Sequence, residues 1–260
     1  MPVKILTILL IILAFSGTVF AGRPLITDDA NTQGKGNYQL QIGGEYSRDD
    51  DEDVKVNKKT VTAELDYGII DNIDFTISSG YQNFQINNAG ITSSPEGITD
   101  TLVEIKWRFY EDKKGLGLAI KPGIFLPTGD YTKGLGGGDI RLGTGEVRYR
   151  LYFVGTKEFE RAAFHLNLGY LRNQARYDAR ENLWHASLAG EWKIVKRLKI
   201  VGNIGIDTSP DTDSCIDPVF LLGGFVYSLS DKIDLDLGIK QGLNDPSFDF
   251  TFTGGISIKF

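Results

Sequence analysis

Apolar and polar residues alternate one by one over most of this chain, a pattern typical of β-strands rather than of helices. In residues 248–260 one face is apolar and ends at Phe260, while the other face is polar. Segments of this kind begin near residues 37, 57, 72, 100, 116, 144, 160, 182, 197, 218, 232 and 246. A period of two over so many segments predicts an all-β chain.

The connections between these segments alternate in length, and this predicts the topology. Those after even-numbered segments are short, whereas those after odd-numbered segments are mostly long and polar, the first at Arg48–Val56. Strands of about ten residues with short turns on one side are typical of outer-membrane barrels. Residues 22–260 are therefore predicted to form a transmembrane, antiparallel, up-and-down β-barrel of about 12 strands. Both termini should be periplasmic, with residues 22–36 as a periplasmic N-terminal segment.

A soluble β-sandwich would also alternate, but two further features favour a membrane barrel. The apolar face continues over all the segments, and aromatic residues recur near their short-turn ends, as expected of an interfacial girdle. These residues are Tyr38, Tyr67, Phe75, Phe109, Phe153, Trp192, Tyr227 and Phe260. The terminal Phe260 is typical of an assembly signal. The expected partners are therefore outer-membrane lipid, lipopolysaccharide and the barrel-assembly machinery.

The first 21 residues differ from the rest of the chain. Lys4 precedes the apolar run Ile5–Phe15, and Val19–Ala21 supplies small residues for cleavage, which together predict a secretory signal peptide at residues 1–21. The predicted location is the cell outer membrane. A net charge of −6 argues against nucleic acid as a partner, and a single Cys permits neither an internal disulfide nor a cysteine-based zinc site.

Charged residues recur on the inward face of the predicted strands. The basic ones lie on the fourth to sixth segments, and the acidic ones on the second, third and eleventh. The predicted lumen lining is Lys106, Arg108, Lys121, Arg148, Arg150, Glu64, Asp66, Asp74, Asp234 and Asp236. Two interpretations stay open: these groups line a narrow wet pore, or the arginines pair with Glu64, Asp66 or Asp234 and close it. The narrow pore is favoured.

The two histidines, His165 and His185, are predicted to share the inward face of neighbouring strands. His185 and Ser187 have the His-x-Ser spacing of outer-membrane phospholipases, but there the pair faces lipid. Here Trp184 and Leu188 take the outward face. Ordinary lumen lining is therefore favoured, and no catalytic, metal or cofactor site is predicted.

Three blocks of sequence carry a family resemblance. They are Arg23–Ala30 with Gly34–Gly36 and Tyr38–Leu40, then Phe125–Asp130 with Leu142–Gly145, and Tyr227–Lys232 with Gly242–Asp245. The chain resembles the family called putative MetA-pathway of phenol degradation, whose members are outer-membrane barrels described as transporters. The resemblance implies passive, porin-like passage of small solutes, aromatic or other small organic compounds among them. The alternatives are a closed barrel with a structural or surface-interaction role and, third, a lipid-acting enzyme.

Overall fold

The computed structural model describes residues 22–50, 54–88, 91–130, 142–173, 180–210, 215–245 and 247–260. The predicted signal peptide lies outside these residues. The strands are β1 (Tyr38–Asp50), β2 (Val54–Ile70), β3 (Ile73–Asn88), β4 (Ile91–Ser93), β5 (Glu96–Ile98), β6 (Thr101–Glu111), β7 (Leu116–Leu126), β8 (Arg148–Glu158), β9 (Ala162–Arg172), β10 (Asn182–Val195), β11 (Leu198–Asp207), β12 (Val219–Ser228), β13 (Ile233–Gly242) and β14 (Phe250–Lys259). No helix in these ranges is long and apolar enough to span a membrane.

Twelve of these strands form one closed antiparallel wall. Each pairs with the next along the chain, β3 pairs with β6, and β1 pairs with β14 to complete the ring. The short strands β4 and β5 pair only with β3, in the connection that leads to β6. The predicted 12-strand barrel is confirmed. Closure matters because a sheet with no free edge leaves no wall strand with unpaired backbone groups facing lipid.

Both ends of the wall meet at the end of the barrel that carries the short turns. The amide of Phe260, just after β14, donates to the carbonyl of Tyr38, the first residue of β1, at 2.9 Å. At the opposite end, the long loop predicted at Arg48–Val56 is wrong in extent. Strand β1 continues to Asp50, and its partner β2 already begins at Val54. Cross-strand pairing therefore continues through most of that polar stretch.

The barrel exposes apolar side chains and buries polar ones. On β10, Trp184 and Leu188 are 60% and 57% exposed, whereas His185 and Ser187 are 8% and 4% exposed. The same alternation runs along β13, where Leu237 is 69% exposed and Asp236 is buried. A surface of this kind is stable against hydrocarbon, and the polar interior must satisfy its own hydrogen bonds.

The N-terminal segment does not lie outside the short-turn end as predicted. Residues 22–33, which we call the inserted segment, run through the lumen against inward-facing side chains of the wall. They reach Asp74 on β3, Asn167 on β9, Asn203 on β11 and Thr253 on β14. The interior of this barrel is therefore formed jointly by the wall and by its own N-terminal segment.

A charge placed on the outward face tests this orientation. We expect Leu237→Arg to lower the free energy of unfolding by about 2–4 kcal/mol if the position lies near the bilayer midplane, because the guanidinium would face hydrocarbon. Leu237→Met, which keeps the site apolar, should have little effect. Urea unfolding in lipid vesicles measures both, and an equal loss in the two variants would contradict the outward assignment.

Candidate functional site

The inserted segment enters the lumen through a glycine turn at the short-turn end. Gly34 and Gly36 have φ angles of +78° and +82°, which residues with a Cβ atom rarely adopt. The amide of Gly36 donates to the carbonyl of Gly68 at 2.8 Å, and Thr32 Oγ1 donates to the carbonyl of Asp71 at 2.7 Å. These bonds attach the turn to the β2–β3 hairpin and direct the preceding residues into the barrel.

Inside the lumen, asparagine side chains take the place of a neighbouring strand. Asn203 Oδ1 accepts from the amides of Ile26 and Thr27, at 2.8 and 3.0 Å. Asn167 binds both backbone groups of Asp28, since its Oδ1 accepts from the amide and its Nδ2 donates to the carbonyl, each at 2.8 Å. A buried backbone needs such partners, because unpaired amides and carbonyls are costly away from water.

The side chain of Asp28 makes the principal electrostatic contact of the segment. Its Oδ1 lies 3.0 Å from Lys106 Nζ, and its Oδ2 lies 2.8 Å from Lys121 Nζ. Burial by itself would raise the pKa of Asp28, but the two ammonium groups outweigh it and hold that pKa below its usual range. One carboxylate of the segment thus contacts two lysines of neighbouring strands and compensates one of their two positive charges.

The next residue, Asp29, is in a different environment. It is 3% exposed, and its Oδ1 accepts from the amide of Asn31 at 2.6 Å. Within the described ranges no Lys or Arg nitrogen lies within 4.0 Å of its carboxyl group. Burial raises the pKa of Asp29 above its usual range, because loss of water disfavours the charged carboxylate.

The predicted lumen arginines face inward, but their partners differ from those expected. Arg148 Nη2 lies 3.4 Å from Asp100, which precedes β6, and Arg150 forms an ion pair with Glu104 on β6. Lys121 Nζ is also 3.2 Å from Glu104. Among the described residues, neither arginine forms an ion pair with Glu64, Asp66 or Asp234, the partners considered in the closed-barrel interpretation. Because side chains two strands away are within reach, the cations of the basic side pair with carboxylates on or beside β6.

Four other predicted lining residues also lie inside, each with its own partner. Asp234 contacts Lys259 at 2.9 Å, and Asp236 lies 3.8 Å from Arg23 of the inserted segment. Asp74 accepts from the amide of Gln33 at 2.9 Å, and Arg108 donates to the backbone at the β2–β3 turn. The side chains that alternation assigns to the inward face therefore do face the lumen, on both the basic and the acidic side.

The His-x-Ser pair belongs to a hydrogen-bond chain that ends on the inserted segment. His185 Nδ1 is 2.7 Å from Asp207, His185 Nε2 is 2.8 Å from Ser187 Oγ, and Ser187 accepts from Thr27 at 2.7 Å. Acid, base and hydroxyl follow in the order of nucleophilic catalysis. Here, however, the Thr27 hydroxyl donates a hydrogen bond to Ser187 Oγ, and this series of hydrogen bonds anchors the inserted segment to the wall. Elsewhere in the described part of the chain, no three His, Cys, Asp or Glu side chains group as metal ligands.

A cavity of about 310 Å³ remains beside the inserted segment. The segment forms one side of it, and inward residues of β1, β2, β6, β7 and β8 form the other. Lys121 and Arg150 face it from the basic side, while Glu64 and Asp66 face it from β2. The cavity is therefore lined mainly by polar and charged side chains.

The insertion was missed at the sequence level, although inward glycines signal it. A Cβ at Gly43 would stand 1.8 Å from Arg23 Cζ, and one at Gly255, its partner on β14, would stand 2.6 Å from Arg23 Nε. A Cβ at Gly68 would similarly meet the carbonyl oxygen of Gly34 at 1.8 Å. Glycine inside a strand often marks the close approach of another backbone or group. Those positions lie where the N-terminal segment touches the wall.

Comparison with known proteins agrees with this architecture. The family model described as "Putative MetA-pathway of phenol degradation" matches residues 21–260. The chain belongs to this family. No curated protein sequence matches the chain.

Solved structures show the same fold at low sequence identity. The COG4313 outer membrane channel from Pseudomonas putida F1 is 15% identical, with a TM-score of 0.76 over 94% of this chain and 100% of that one. The β domain of the Bordetella autotransporter BrkA is 13% identical, with a TM-score of 0.56 over 87% and 100%. The NanC porin is 12% identical, with a TM-score of 0.54 over 85% and 100%. The fold is that of outer-membrane barrels.

The contacts of Asp28 predict how firmly the segment is held. Asp28→Asn removes the negative charge that Lys106 and Lys121 share, and should weaken docking of the segment by about 1–3 kcal/mol while the wall stays folded. Hydrogen exchange followed by mass spectrometry should then show faster exchange of residues 26–33 but not of the strands. Asp231→Asn, at the exposed β12–β13 turn away from the inserted segment, is the matched control. Equal protection in the Asp28 variant and the wild type would rule out this anchoring role.

Proposed function

We propose that this protein is a narrow channel for passive passage of small solutes across the outer membrane. The observation that carries the proposal is a polar cavity of about 310 Å³ within a closed barrel whose outer surface is apolar. Membership of the family supports it, as does the likeness to an outer-membrane channel. The family description refers to phenol degradation, which favours aromatic or other small organic compounds as cargo.

The inserted segment sets the bore in this proposal. A wall of twelve strands encloses an interior between the filled eight-stranded barrels and the open sixteen-stranded porins. The segment then takes up part of that interior and leaves the cavity on the side of β1, β2, β6 and β7. Passage would therefore be limited to small solutes, and conductance should be low.

A closed barrel with a structural or surface-interaction role is the second candidate. The observation that favours it is the same segment, because an ion-paired, hydrogen-bonded insertion resembles a plug as well as a constriction. Autotransporter β domains share the fold, so the fold itself does not choose between the two. The lipid-acting enzyme receives less support, since His185 and Ser187 are buried in the lumen rather than facing lipid.

Planar-bilayer recording distinguishes these candidates. We expect the purified wild-type protein to give small, reproducible conductance steps, and a variant lacking residues 23–31 to give steps several times larger, because the cavity would widen into the space of the segment. Conductance in the deletion variant with a silent wild type would favour the plugged barrel. Silence in both, with folding shown by heat-modifiable gel mobility, would reject the channel.

We also propose that both termini face the periplasm, that residues 1–21 are a cleaved signal peptide, and that Phe260 is the assembly signal. Phe260 is 64% exposed at the short-turn end, where it is accessible to the assembly machinery and to lipid. Lipopolysaccharide would contact the opposite end of the barrel. Deleting Phe260 should lower the amount of folded barrel in the outer membrane, whereas Phe260→Tyr should preserve it. Equal amounts in the deletion variant and the wild type, measured by cell fractionation, would refute the assembly role.

A further inference from the structure

We infer that the cavity favours cations and amine-bearing organic solutes over anions. This rests on the proposed channel function and adds to it a substrate class. The argument comes from how the charges around the cavity are paired. Basic and acidic side chains both face it, but only the basic ones have partners of opposite charge.

Each cationic side chain that lines the cavity lies within 4.0 Å of at least one carboxylate. Lys106 and Lys121 share Asp28, and Lys121 and Arg150 share Glu104. The fourth cation, Arg23, lies 3.8 Å from Asp236. An anion entering the cavity would have to compete with the carboxylates that already contact these cations. The basic side therefore attracts an anion only weakly.

The acidic side is different. Glu64 and Asp66 are two residues apart on β2 and point into the cavity from one face. Their partners are neutral: Gln41 Nε2 donates to both, at 3.1 and 3.3 Å, and Thr76 Oγ1 donates to Asp66 at 2.6 Å. Among the residues that the structure describes, no Lys or Arg nitrogen comes within 4.0 Å of either carboxyl group.

A solute cation would supply the missing partner. Charge of one sign along a low-dielectric wall raises the local concentration of ions of the opposite sign. An ammonium group could approach Glu64 and Asp66 from the cavity while Gln41 keeps both side chains in place. The size of the cavity suits an inorganic cation or a small organic amine.

Reversal potentials in planar bilayers test this inference. In a gradient of KCl, and then of ethylammonium chloride, the wild type should pass the cation more readily than chloride. In the Glu64→Gln/Asp66→Asn variant that cation preference should fall by about threefold or more, most strongly at low salt, where screening is weakest. The control Glu160→Gln/Asp231→Asn removes two exposed carboxylates from the short turns and should keep the wild-type ratio.

The outcomes separate this inference from the proposed function. A wild type that conducts with a preference for chloride, or a double variant with unchanged selectivity, overturns the inference and leaves the channel intact. A folded wild type that never conducts overturns the channel itself. If the double variant fails to fold, Glu64→Gln alone, at the less buried and less hydrogen-bonded of the two positions, must still reduce the cation preference.

Discussion

The shared contact of Asp28 with Lys106 and Lys121 is the interaction on which the interior depends. Without Asp28, two ammonium groups on neighbouring strands would face a narrow lumen. Lys121 would keep Glu104 as an ionic partner, whereas Lys106 would lose the carboxylate that it contacts. Because buried charge is stable only when it is paired, the wall needs the carboxylate of the segment as much as the segment needs the wall. The barrel and its N-terminal residues are therefore one structure, and the insertion supplies the basic side with a second carboxylate beside Glu104.

The remaining contacts make this arrangement specific. Side-chain amides of Asn167 and Asn203 bind a backbone that has no strand beside it, and the hydroxyls of Ser187 and Thr27 connect it to His185 and Asp207. Glycines on the wall provide the space, since a Cβ at Gly43 or Gly255 would collide with Arg23. Hydrogen bonds position the segment, and wall glycines leave room for it. The contact of Asp28 with Lys106 and Lys121 offsets part of the cost of removing these lysines from water.

The same arrangement leaves the lumen asymmetric. Asp28 of the segment and Glu104 of the wall form ion pairs with the cations of the basic side. In the part of the chain that the structure describes, no Lys or Arg nitrogen lies within 4.0 Å of the Glu64 or Asp66 carboxyl group. Of the two charged sides expected from the sequence, the basic one has carboxylate partners, whereas Glu64 and Asp66 on the acidic one have neutral hydrogen-bond partners. Fold likeness alone could not reveal this, because porins and autotransporter domains share the wall. It is the pairing of individual side chains that gives the cavity its chemical preference.

The wall of the barrel follows from the sequence pattern alone. Alternation with a period of two assigns every wall strand an outward and an inward face, so Trp184 and Leu188 could be placed in lipid and His185 and Asp236 in the lumen. Strand count, short-turn end and inward charges followed from the same local pattern. The ion-pair partners and the position of residues 22–33 did not, because these depend on which residues distant in the chain meet across a closed ring. Arg150 pairs with Glu104, two strands away, and Asp28 reaches β6 and β7 from outside the alternating pattern. Periodicity reports which way a side chain points, and only the tertiary structure decides what it meets there.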